Sequence, residues 1–152
     1  MKILNVSDVL KKERIELSLK SETKEEALKE LTELLHKTGA LNDKEGFLED
    51  VLNRESISTT GIGNGIAIPH GKSANVLETT VAIGRTAIPL EWESLDDKPV
   101  HFIVLLAVNE EDKTGVHVKL LSQMARKLAS EDTCKRLLKA ATAEEIADIF
   151  SE

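Results

Sequence analysis

The 152-residue chain has a single cysteine, Cys134, which excludes an internal disulfide. Its spacing with Leu137, Leu138 and Ala141 reads as a small buried hydrophobe on a helix rather than a nucleophile. There is no long hydrophobic run. The longest, Val100 to Val108 with His101 inside it, falls far short of the roughly 20 residues that cross a bilayer, so no direct membrane insertion is expected. The N-terminus lacks the charged-then-apolar pattern of a signal peptide, and the expected location is the cytoplasm. Positive charge is not in excess: the net charge is -7 and no basic stripe occurs, which argues against nucleic acid or anionic lipid as partner. Protein and small-molecule partners remain. Repeats, low-complexity segments and Pro/Gly/Ser-rich linkers are also missing. With 41% apolar residues, the chain suits one α/β domain, residues 1–152, around a single core.

Further classes drop out for want of their motifs. No His-x-x-x-His, no cysteine pair and no third-ligand carboxylate beside His70 can be found, so no metal or cofactor is expected. Gly-x-Ser-x-Gly is absent, and Ser58 and Ser73 lack an acid-base partner. Gly61, Gly63 and Gly65 do not make a Walker A loop, because no Gly-Lys-Ser/Thr closes them. Nor do they make a dinucleotide fingerprint, since they precede a strand and the third comes one residue too early.

What is present alternates between helical and strand periods. Thr23 with Glu26 makes a capping box that opens a helix near 24–38, with Ala27, Leu28, Leu31, Leu34 and Leu35 as its apolar stripe. Asn42 with Glu45 opens a second, carrying Phe47, Leu48, Val51 and Leu52 and ending near Arg54. Residues 66–68, 81–84 and 100–108 read as strands of one sheet, the last buried on both faces. Gly115 opens a third helix with Val116, Leu120, Leu121, Met124, Ala125 and Leu128 inward. Two short capped helices follow, the last begun by Thr142 and Glu145.

The chemistry concentrates at His70, between Pro69 and Gly71 at the end of the short 66–68 strand. Proline fixes its own φ and biases Ile68 toward extended geometry, while Gly71 is expected to let the chain turn sharply afterwards. The three alternate glycines allow close backbone approach and N–H groups turned toward an anion. His117, in the first turn of the third helix, reads either as a boundary histidine or as a donor to a group attached at His70. His36 and His101 read as structural.

A neutral imidazole, with an unperturbed pKa of about 6.5, is a nucleophile able to accept a phosphoryl group. The transition state is metaphosphate-like, so catalysis is alignment plus stabilisation of the equatorial oxygens by a guanidinium, an imidazole N–H and backbone amides. Arg54, His117 and the glycine loop offer these three.

The stretch from Arg54-Glu55 through Ser58-Thr59-Thr60-Gly61-Ile62-Gly63-Asn64-Gly65-Ile66-Ala67-Ile68-Pro69-His70-Gly71 resembles the active-site signature of the fructose- and mannitol-type enzyme IIA of the bacterial phosphoenolpyruvate-dependent sugar phosphotransferase system. The resemblance continues through Trp92, Leu95-Asp96, Pro99-Val100-His101 and the His117 helix to Ile149. It implies an α/β fold, a mixed sheet flanked by helices on both sides. It further implies that His70 takes a phosphoryl group from HPr and passes it to a cysteine of enzyme IIB, with the membrane enzyme IIC served indirectly. Arg54 and His117 fall on the family's phosphate-stabilising positions, and Thr60 is expected to add a hydroxyl contact. Residues 110–115, Glu-Glu-Asp-Lys-Thr-Gly, depart from the family pattern ahead of His117. A nitrogen-type regulatory relative shares the histidine motif. Glu91-Trp92 and Pro99-Val100-His101-Phe102 look closer to the fructose type, which ranks the sugar carrier first.

Overall fold

A computed structural model describes residues 5–111 and 114–152; Asp112 and Lys113, within the acidic approach to His117, lie outside the described residues. In chain order the elements are β1 (Ile15–Leu19), α1 (Lys24–Lys37), α2 (Lys44–Glu55), β2 (Gly61–Gly63), β3 (Ile66–Ala67), β4 (His70–Ser73), β5 (Thr80–Leu90), β6 (Val100–Asn109), α3 (Thr114–Leu128), α4 (Glu131–Lys139) and α5 (Ala143–Ser151). The six strands form one mixed sheet in the order β1-β5-β6-β3-β2, with β4 also on β6. Among the named strand pairs of the described residues, β5–β6 and β2–β3 are antiparallel and the others parallel.

The pleat of β6 explains the layers. Phe102, Val104, Leu106 and Val108 face Leu120, Met124, Leu128, Leu137, Ile146 and Phe150 of α3, α4 and α5. Ile103, Leu105 and Ala107 face Leu28, Leu31, Leu35, Phe47 and Val51 of α1 and α2. A strand apolar at both parities therefore recruits helices to both faces, as the resemblance implied.

Thr23 and Thr142 cap α1 and α5 as expected, accepting the N–H groups of Glu26 and Glu145 at 3.1 and 3.2 Å. The second helix begins differently. Its cap is Asp43, not Asn42, with Oδ1 accepting from Glu45 and Gly46. The Asn42 N–H is bound to the Asn75 carbonyl, in the segment where Leu41 bridges Val76, so Asn42 belongs to that extended stretch. Ala125 is exposed rather than inward, because the buried face of α3 recurs every four residues at Leu120, Met124 and Leu128 and leaves Ala125 one step around the helix.

The largest correction concerns the chain around His70. β3 and β4 lie along β6 in one continuous register, Ile66 opposite Phe102 and His70 opposite Leu106, interrupted at Pro69, which has no N–H to give. The Pro69 carbonyl still accepts from Leu106, at 2.9 Å. The chain therefore does not turn sharply at Gly71 but resumes the strand. Glycine is required there by α2, since a Cβ would stand 2.9 Å from Val51 Cγ2 and 3.2 Å from Phe47 Cε1. The sharp turn is at Asn64-Gly65, with φ of 57 and 79, a two-residue connection between β2 and β3.

Arg14 pins the other end of the sheet. It is 1% exposed, and its guanidinium donates to Thr38 Oγ1, the Thr38 carbonyl, Glu78 and Thr80 Oγ1, joining the entry to β1, the end of α1 and the start of β5. Arg14→Met keeps volume but removes these donors, leaving Glu78 with Lys11 alone. Because Glu78 is half exposed and can rehydrate, the expected loss is about 1.5 to 3 kcal/mol. Urea unfolding should show a lower midpoint with an unchanged slope.

Candidate active site around His70

His70 opens β4 and is only 7% exposed. Its Nδ1 lies 3.2 Å from the Ile68 carbonyl oxygen. A carbonyl can only accept, so Nδ1 carries the proton and Nε2 holds the free lone pair. Ile68 is itself fixed, its N–H donating to the Thr60 carbonyl at 2.9 Å. The imidazole is thus held from below by backbone, with one defined nitrogen available to a ligand.

α3 brings His117 to the same place. The two ring centroids are 5.1 Å apart and the planes are inclined by 52°. Nε2 of His117 is buried and has no hydrogen-bond partner among the described residues. Burial without a partner is costly for such a group.

Arg54, in the last turn of α2, donates from Nη1 to the Ser58 carbonyl and hydroxyl, both at 3.2 Å. These bonds steady the guanidinium at the mouth of the site. Burial, foremost, and then the charges of Arg54 and His117 hold the His70 pKa below the ordinary 6.5, against the opposing pull of the Ile68 carbonyl and Glu55. Burial likewise lowers that of His117, helped by Lys72 and Arg54. Both shifts favour the neutral imidazole, the form in which a histidine is a nucleophile or a single donor.

Thr60 is buried, but its hydroxyl donates to Glu55 Oε1. The glycine hairpin is also engaged elsewhere: the Gly61 N–H donates to Thr59 Oγ1 and the Asn64 N–H to Asp96. Gly61 is glycine because a Cβ would meet the Glu93 carbonyl at 2.5 Å. Two site residues had no role in the sequence reading, Lys72 unmentioned and Glu55 named only within the signature stretch. Lys72 is exposed two places after His70, hence on the same strand face, a spacing that was available as a signal. Glu55 adjoins Arg54, but nothing local distinguishes it from other helical glutamates. His36 is exposed at the end of α1, and His101 stands beside Gly65 at the hairpin. Cys134 is buried with its thiol pKa raised by burial. Among the described residues no group of three His, Cys, Asp or Glu could hold a metal ion, and no helix is long and apolar enough to cross a membrane.

Residues 8–152 match the family described as "Phosphoenolpyruvate-dependent sugar phosphotransferase system, EIIA 2". The chain is 38% identical over 149 residues to the PTS system fructose-specific EIIABC component of Bacillus subtilis (strain 168), a match covering 98% of this chain and 23% of that protein. The chain thus spans under a quarter of that relative's length. It is 36% identical over 152 residues to the nitrogen regulatory protein of Klebsiella oxytoca, covering 98% of this chain and 91% of the relative. Its fold is similar to the crystal structure of nitrogen regulatory protein IIA-Ntr from Neisseria meningitidis, with a TM-score of 0.88 at 32% identity, covering 95% and 98% of the two chains.

Proposed function

This chain belongs to the EIIA 2 family of the phosphoenolpyruvate-dependent sugar phosphotransferase system, and from that premise we propose that it carries a phosphoryl group on Nε2 of His70, taken from phospho-HPr and handed to a cysteine of enzyme IIB. The observation that carries this reading is the pair of histidines, a buried His70 with a defined lone pair and a half-buried His117 with an unserved nitrogen, their ring centres 5.1 Å apart. Nε2 attacks phosphorus, the bond from phosphorus to the donor breaks, and its electron pair leaves with the donor. The proton stays on Nδ1, hydrogen-bonded to the Ile68 carbonyl, so the first step requires no proton acceptor. In the second step the IIB thiolate attacks phosphorus and the electron pair of the P–N bond returns to Nε2.

Arg54 and His117 act on the three equatorial oxygens, where charge lies in the transition state. Lys72 adds positive charge on the approach. Thr60 acts on the phosphoryl group only if its hydroxyl leaves Glu55; its present role is to hold the hairpin. The sugar reading, with fructose as the sugar served, rests on the fructose-specific relative and on the Glu91-Trp92 and Pro99-Val100-His101-Phe102 stretches. The regulatory reading has support of its own from the nitrogen regulatory relative and the similar IIA-Ntr structure. On either reading the protein works in the cytoplasm, without touching the sugar, nucleic acid or the bilayer.

Single-turnover transfer tests both the relay and the place of His117. The protein is loaded from phosphoenolpyruvate, enzyme I and HPr, then mixed with a fructose-type IIB. Wild type should pass its phosphoryl group to the IIB cysteine; retention of the label would favour the regulatory reading. His117→Ala should still be labelled, since the nucleophile is intact, but donate roughly tenfold or more slowly because one charge-assisted bond and the in-line alignment are lost. His117→Gln should recover part of that loss. Equal rates for both steps in wild type and His117→Ala would return His117 to a packing role.

A further inference from the structure

Glu55 ends α2 with its side chain only 5% exposed, an expensive place for a carboxylate. It has two partners. Lys24 Nζ, from the first turn of α1, lies 2.7 Å from Oε2, an ion pair not aligned as a hydrogen bond. That ammonium also stands 4.9 Å over the Trp92 ring. On the other side Oε1 accepts the Thr60 hydroxyl. α1 and α2 already pack through Leu28, Leu31, Leu35, Phe47 and Val51, so the ion pair is not what brings them together.

The contacts beyond Thr60 lead to the reacting histidine. The Thr60 carbonyl accepts the Ile68 N–H at 2.9 Å, and the Ile68 carbonyl accepts Nδ1–H of His70 at 3.2 Å. Resting on the carrier reading above, we propose that Glu55 is a positioning residue: through Thr60 and Ile68 it fixes the Nδ1 proton of His70, and its charge keeps that proton in place once Nε2 is phosphorylated.

The chemistry follows from the balance of the transfer step. Nε2 gives its lone pair to phosphorus while Nδ1 keeps its proton, so the phosphorylated ring is an imidazolium. A protonated ring is the better leaving group, since the P–N electron pair then returns to form a neutral imidazole. The groups acting electrostatically on the ring differ in sign: Arg54 from α2 and His117 from α3 oppose positive charge on His70, and Glu55 favours it. Lys72 of β4 acts on His117, and Lys24 of α1 is paired with Glu55. The carboxylate is therefore placed to offset the positive charge of Arg54, which the phosphoryl group itself needs.

Two isosteric variants separate the charge from the link. Glu55→Gln keeps an oxygen for the Thr60 hydroxyl but removes the charge; Thr60→Val cuts the link and leaves the charge. In the unphosphorylated protein, NMR titration should place the His70 pKa lower in Glu55→Gln than in wild type. Donation from phosphorylated Glu55→Gln to IIB should slow roughly tenfold, the low end of a charge-assisted contact, with loading from HPr less affected. Thr60→Val should slow both steps and broaden the Nδ1 proton resonance. Glu55→Ala should be worse than Glu55→Gln in both. Unchanged His70 titration and unchanged rates in folded Glu55→Gln would overturn the proposal and leave Glu55 a structural ion pair. If wild type itself takes no phosphoryl group from HPr, the carrier reading fails instead, while the titration and the Nδ1 resonance still decide whether Glu55 acts on His70.

Discussion

His70→Gln should take up no phosphoryl group from phosphoenolpyruvate, enzyme I and HPr, whereas the wild-type chain should gain one, seen by intact-protein mass spectrometry. Glutamine keeps polarity and similar reach, and its amide N–H can still reach the Ile68 carbonyl, so the surroundings are preserved. What it lacks is a nitrogen lone pair, and no neighbouring group supplies one in the same place. The His117 ring lies 5.1 Å away between centroids, but it rests on α3 without the backbone brace that orients His70. Labelling of His70→Gln at the wild-type level would remove His70 from the chemistry.

Arg54→Lys should slow loading from HPr by roughly ten- to hundredfold. The planar fork can hold two phosphoryl oxygens at once, where an ammonium is a point charge on a flexible stem. Nη1 is already steadied by the Ser58 carbonyl and hydroxyl, so the arginine arrives with part of its conformational freedom removed. A lysine at this position would reach one of those acceptors at most. Losing one charge-assisted bond from the transition state, worth about 1.5 to 3 kcal/mol, gives that range. Because Arg54 opposes protonation of His70, the variant should also raise the His70 pKa only if the lysine ammonium sits farther away than the guanidinium. Loading at the wild-type rate would make Arg54 a structural clamp on the 56–58 turn.

Elements bounded by local chemistry were legible from the chain alone. Thr23 and Thr142 mark helix starts because capping is decided within four residues. The long apolar run became β6 and its two-sided burial. What stayed hidden depends on contacts between distant segments. β1, Ile-Glu-Leu-Ser-Leu, is short and half polar, and it is a strand because β5 offers it a parallel edge. β4, His-Gly-Lys-Ser, has no strand propensity of its own and is held by β6 beyond the break at Pro69. Gly61 reads as part of an anion cradle and Gly71 as a turn, but Gly61 answers to Glu93 and Gly71 to Val51 and Phe47, neighbours that spacing cannot reveal.

The site divides the same way. His70 announced itself through Pro69 and the glycines, and His117 through its place at a helix start. That their rings meet at 5.1 Å is a property of the fold, since α3 must return over the sheet to bring them together. Glu55 is one of 27 acidic residues, and only burial beside Thr60 and Lys24 sets it apart.

The most direct test of the account is the identity of the phosphorylated atom. Nitrogen-15-labelled protein, loaded from HPr, can be examined by NMR for phosphorus-nitrogen coupling in the His70 ring. The account predicts phosphorus on Nε2, with Nδ1 protonated and hydrogen-bonded to the Ile68 carbonyl. Phosphorus on Nδ1, or on any residue other than His70, would contradict it.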